Sequence, residues 1–297
     1  MFCCQNGKTW GTPVALTPSL NNSKGRSTTV ANGPGRAIQL RSTNPHAPGR
    51  IVSSGYTFDP STPGESGEQV PFWSDDKSFP RTFKQKSFVP MLDESQLVEL
   101  ASGTFLMLSR NYRNCSLAVG AKAWWGFGQG ICAAFTRSET GGETWGIVEV
   151  TQQLTQSNCQ MPILRTRAGG LYMAHPELYM GGNFPALQRD KGISGQNYDT
   201  ALRINGTVRR SHDADGKSWP ATTALSSSIT GFMEYTAVEK TFPDAWRTQF
   251  GYSCLTELAD GRLGLLYETG SADCHTDSRG GGCSSACQVR FVALPAF

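Results

Sequence analysis

Three turns in this chain end alike, and that repetition constrains the fold more than any other feature. Gly7-Lys8-Thr9-Trp10, Gly142-Glu143-Thr144-Trp145 and Gly216-Lys217-Ser218-Trp219 all read Gly-x-Thr/Ser-Trp. A degenerate fourth copy, SDDKSFP at 74–80, puts Phe79 where tryptophan stands in the others. Successive copies lie about 70 residues apart. That is too far for one propeller blade of roughly 40 to 50 residues, but it suits a radial array whose blades carry long insertions. In such a turn a small or acidic side chain caps the backbone, glycine takes a positive φ, and the tryptophan ring fills the gap between neighbouring sheets. These motifs are scaffold and carry no chemistry.

The rest of the chain agrees with an all-β reading. Short apolar or alternating runs at 96–100, 105–108, 131–136, 147–150, 161–164, 171–174, 201–210, 252–258 and 263–267 are mostly bounded by Gly, Asp, Asn or Pro. LVEL-ASG-TFLML and CLTEL-ADG-RLGLLY each read strand, tight turn with glycine, strand. The best helical stretch, 232–246, is interrupted by Pro243, so no long helix is expected there. A sandwich of two sheets is the competing architecture; the repeated turn favours the propeller.

Composition narrows the partners. A net charge of +3 on 297 residues implies neither nucleic acid nor an anionic membrane surface. No run approaches the about 18 apolar residues that a membrane helix needs, so no transmembrane segment is expected. The opening MFCCQNGKTWG lacks the basic and apolar parts of a signal peptide. Nine cysteines, an odd number, leave at least one thiol outside any disulfide framework, and the compartment stays open. The tail pattern Cys274-His275, Cys283, Cys287 matches no common zinc spacing. Neither a metal nor an organic cofactor is expected.

Three ordered blocks resemble the sialidase (neuraminidase) family. The chain's Gly33-Pro34-Gly35-Arg36-Ala37-Ile38-Gln39-Leu40 is similar to GPGxGIQL. Asp93-Glu94-Ser95-Gln96-Leu97-Val98-Glu99-Leu100, running on to Leu108-Ser109-Arg110-Asn111, is similar to NExxVVEL followed by the NSR arginine. Tyr252-Ser253-Cys254-Leu255-Thr256, then Gly264-Leu265-Leu266-Tyr267-Glu268, is similar to YSxLT and GLLYE. The repeated turn itself resembles the family's Asp box, S-x-D-x-G-x-T-W, with Thr140 in place of the Asp and one extra residue between Ser211 and Trp219.

The resemblance implies one single propeller domain over 1–297, of six-bladed sialidase type but incomplete, with about four blades present. It also implies an exo-α-sialidase that removes terminal sialic acid from glycoproteins, glycolipids or oligosaccharides. Sialic acid carries a carboxylate on its anomeric carbon, which repels an anionic nucleophile, and the family uses a neutral phenol instead. Tyr252 stands at that nucleophile position and Glu94 at the position of its base. Arg110 falls on one of three arginines that hold the substrate carboxylate through planar guanidinium forks. Arg203, in RINGTVRRS, matches another. Arg209 is six residues away on the same strand face, so alternation does not separate them. Arg209 abuts the scaffold turn, and Arg203, at the far end, is the better choice.

Two parts of the family pattern have no counterpart. The F-R-I-P segment with the first arginine is absent, as is the Asp that protonates the leaving oxygen. Asp59, Asp75, Asp76 and Asp93 all stand in other contexts. The order of blocks implies that roughly the first two blades are missing. A non-catalytic propeller that binds glycans or proteins is therefore the second reading.

Overall fold

A computed structural model of the chain describes residues 3–4, 9–10, 30–32, 36–57, 68–76, 83–90, 92–111, 132–155, 159–176, 206–219, 228–230, 250–269 and 288–295. Among these there are only strands, bridges, turns and loops; there is no helix. The sequence segment 232–246 lies outside them.

A short ladder joins β1 (Cys3–Cys4) to β2 (Thr9–Trp10). The first large sheet contains β3 (Val30–Asn32), β4 (Ile38–Gln39), β5 (Ile51–Thr57), β6 (Glu68–Ser74) and β7 (Val89–Pro90). Its order is β3-β5-β6-β7, with β4 also on β5. The second is a four-stranded meander of β8 (Leu92–Glu99), β9 (Phe105–Asn111), β10 (Cys132–Ser138) and β11 (Glu149–Thr155). The third repeats that order with β12 (Ile163–Arg165), β13 (Leu171–Pro176), β14 (Gly206–Arg210) and β15 (Ser228–Thr230). A fourth has three strands, β16 (Ser253–Glu257), β17 (Leu263–Thr269) and β18 (Gln288–Leu294). All pairings are antiparallel.

The sheets pack face to face in chain order. Val52 and Trp73 of the first sheet meet Leu97, Phe105 and Met107 of the second. The second sheet's other face puts Leu106, Leu108 and Phe135 against Met161, Ile163, Leu171 and Trp219. Leu164, Tyr172 and Val208 of the third then cover Leu255, Leu265 and Tyr267 of the fourth. Covered on both faces, β8 and β9 are buried along nearly their whole length, the polar Asp93, Glu94, Ser95 and Gln96 included.

The repeated turns sit at the same place in successive sheets, after the third strand. Trp145 follows β10 and Trp219 follows β14. In the second sheet Ser138 Oγ accepts the Gly142 N–H at 2.9 Å, and Thr140 Oγ1 accepts that of Thr144 at 2.9 Å. In the third, Asp213 accepts the N–H groups of Asp215, Lys217 and Ser218 at 2.9, 3.0 and 2.7 Å. Burial pushes the Asp213 carboxyl up, but those donors together outweigh it and hold it below its ordinary value. Each indole closes its own turn, donating to the Gly142 carbonyl at 3.2 Å or the Gly216 carbonyl at 3.0 Å. Thr140 therefore does with a hydroxyl what Asp213 does with a carboxylate.

Gly216 shows why the turn demands glycine. Its φ is +68°, and a Cβ there would lie 2.7 Å from Leu106 Cδ2 and 2.9 Å from Leu171 Cδ2. Gly216→Ala should cost about 1 to 3 kcal/mol through backbone strain and overpacking. Urea unfolding of the two chains measures this, and unchanged stability would mean that the turn does not press on the adjoining core.

Arg50 links two sheets from within. Its guanidinium meets Asp75 at 2.6 and 3.0 Å, the Gly141 carbonyl at 3.0 Å and Glu143 at 3.2 Å, and lies 5.3 Å from the Trp73 ring centroid. Asp75 is thereby committed to the scaffold.

Candidate active site

Three of the four residues singled out in the sequence can be placed. Glu94 lies near the start of β8, Arg110 near the end of β9, and Tyr252 just before β16. The Tyr252 hydroxyl donates a hydrogen bond to Glu94 Oε1 across 158 residues of sequence. The other carboxylate oxygen, Oε2, accepts from Arg110 Nη1 at 3.1 Å. Phenol, carboxylate and guanidinium thus form one chain of contacts. Arg203 lies outside the described residues.

A β-bulge makes the arrangement possible. Leu92 pairs with Asn111 and Ser95 with Ser109, so β8 spends three steps where β9 spends two. Adjacent residues on a regular strand point to opposite faces. Within the bulge Asp93 and Glu94 both turn to Arg110, which also lies 3.6 Å from Asp93 Oδ2. Bulges re-aim side chains in this way. Asp93 Oδ1 in addition accepts the Glu94 backbone N–H at 2.7 Å.

The surrounding polar groups hold each strand end in position. Ser95 Oγ donates to Gln69 Oε1 at 2.7 Å and contacts Ser54 Oγ at 2.9 Å, anchoring β8 to the first sheet. Asn111 Nδ2 donates to the carbonyl of Cys132 at 3.1 Å, and Cys132 is disulfide-bonded. Glu268 clamps the backbone of Tyr252. Its Oε2 accepts the Tyr252 N–H at 3.2 Å, and its own N–H donates to the Tyr252 carbonyl at 2.9 Å. A further bond, from the Gly251 N–H to the Glu268 carbonyl at 2.9 Å, closes the strand end around the tyrosine. A Cβ on Gly251 would lie 2.7 Å from Glu268 Oε2, so glycine is needed for the clamp to fit.

Electrostatics and burial divide the site. The Asp93 and Glu94 side chains are almost fully buried, whereas Tyr252 and Arg110 lie at the accessible edge. Tyr56 on β5 stands within the same field. Burial first, then the Asp93 and Glu94 charges, push its phenol up, against the opposing pull of Arg110. Tyr56 and Glu268 were not singled out by sequence; only the position of Glu268 in the GLLYE-like block pointed towards it. Arg209 is buried, and its Nη1 donates to the Gln153 carbonyl at 3.0 Å and the Trp219 carbonyl at 3.5 Å. It belongs to the scaffold turn. Among the described residues no cluster of His, Cys, Asp and Glu could hold a metal ion.

No family model matches the chain. A sialidase from Micromonospora viridifaciens is 28% identical over 271 residues, covering 89% of this chain and 32% of the relative. Among solved structures, the NanB sialidase from Streptococcus pneumoniae aligns with a TM-score of 0.55 and 18% identity, over 90% of this chain and 32% of that one. The intramolecular trans-sialidase from Ruminococcus gnavus aligns with a TM-score of 0.53 and 17% identity, over 90% and 44%. The chain spans about a third of the length of the curated relative. Its packed antiparallel sheets are blades of the sialidase-type propeller, and in sequence the chain is similar to part of a sialidase.

Proposed function

We propose that the chain, as one propeller unit, carries the nucleophilic half of an exo-α-sialidase that releases terminal sialic acid from glycoconjugates with retention at the anomeric carbon. The observation that carries this reading is the Tyr252–Glu94–Arg110 chain of contacts. A phenol with an ordinary pKa near 10 is a poor nucleophile at neutral pH and needs an adjacent base. Glu94 Oε1 takes the phenolic proton as the Tyr252 oxygen attacks the anomeric carbon. The bond to the leaving oxygen breaks, that oxygen departs as an anion and takes a proton from solvent, and a glycosyl-tyrosine forms. Water then attacks that carbon and gives up a proton to solvent while the phenolate leaves and recovers its proton from Glu94. Arg110 and Arg203 hold the substrate carboxylate.

The test uses two substrates. An aryl sialoside, whose leaving group needs no protonation, should be hydrolysed by the folded chain. A natural sialoside should react roughly 10²- to 10⁴-fold more slowly than in a complete family member, the usual contribution of a general acid. The family's acid and first arginine have no counterpart among these residues, which favours the second reading, a glycan-binding propeller. Binding of sialic acid with no release from the aryl sialoside would establish that reading instead.

A further inference from the structure

The proposed reaction uses Glu94 and Arg110 but gives Asp93 no role. Asp93 is 2% exposed and carries its charge 3.6 Å from the Arg110 guanidinium. The hydrogen bond that it accepts from the Glu94 N–H needs only an oxygen, which the asparagine of the similar NExxVVEL motif also supplies. The carboxylate adds attraction for Arg110. Among the described residues, two buried carboxylates face that guanidinium, which shares its charge between them.

We propose that Asp93 is a positioning residue that draws Arg110 back from a bound carboxylate and so sets how tightly the site retains an anionic sugar. This rests on the sialidase reading for its ligand, although the hold on Arg110 does not. A charge a few ångströms behind the binding guanidinium weakens its pull on an anion and speeds release of the anionic product. Removing that charge should tighten carboxylate binding by roughly tenfold at the effective dielectric of such sites.

Two measurements on wild-type and Asp93→Asn chains decide it. The first needs no sugar: the deprotonated guanidine attacks the carbonyl carbons of phenylglyoxal, and peptide mapping follows the adduct on Arg110. Asp93→Asn should be modified severalfold faster, and an equal or slower rate overturns the proposal. The second is the Kd of 2-deoxy-2,3-didehydro-N-acetylneuraminic acid, expected to fall roughly tenfold in Asp93→Asn. Equal or weaker binding by a folded variant overturns it. If the wild-type chain does not bind the analogue, the sialidase reading fails and the phenylglyoxal rates still decide the role of Asp93. Asp93→Ser, which keeps an oxygen for the Glu94 N–H, is read in the same way should Asp93→Asn not fold.

Discussion

Tyr252→Phe is expected to lower release from an aryl sialoside on the order of 10³-fold or more while leaving the fold in place. The ring and the backbone clamp by Glu268 do not depend on the hydroxyl, whereas attack at the anomeric carbon does. Glu94→Gln should fall by roughly 10²- to 10⁴-fold, because an amide accepts a hydrogen bond but takes no proton at neutral pH. The two losses should not add in the double variant, since base and nucleophile act as one unit. Steady-state rates for the three variants, with circular dichroism to confirm folding, provide the check. Full additivity would separate the two residues and remove the base from the mechanism.

Trp219→Ala is the largest expected change in stability. The indole is fully buried, stacks on Phe135 with ring centroids 6.3 Å apart, and packs where the second and third sheets meet. Its backbone N–H donates to Gln153 Oε1 at 2.6 Å, so the ring is held from both ends. Truncating a buried tryptophan costs about 3 to 5 kcal/mol through lost burial and the cavity left behind. Trp145, only partly buried at the equivalent turn, should cost less. Chemical denaturation of both variants tests the ordering; equal losses would show that burial between the sheets is not what makes the turn stabilising.

The strands with the clearest patterns were legible in the sequence. The runs 105–108, 171–174 and 263–267 fall inside β9, β13 and β17, and both glycine couplets form hairpins. Strands that carry polar, proline or glycine residues were not, as β5 and β6 show. IVSSGYT and EQVPFWS lack clean alternation because contacts with β8 bury Ser54 and Gln69 as well as Val52. The site residues were named through motif likeness, and the physical reason for their convergence was hidden. A bulge depends on pairing with a partner strand, so nothing local in Asp93-Glu94 announces that both side chains reach Arg110. Glu268 was hidden for a similar reason, because its clamp on Tyr252 exists only once β17 pairs with β16.

The central claim is that the Tyr252 oxygen forms a bond to the anomeric carbon of a sialic acid. Incubating the folded chain with a fluorinated sialosyl fluoride and mapping the product by mass spectrometry examines that bond directly. The account predicts one added glycosyl group on the peptide bearing Tyr252, absent from Tyr252→Phe. A folded chain that turns over the aryl sialoside yet carries the label on Glu94, or on any residue other than Tyr252, would contradict it.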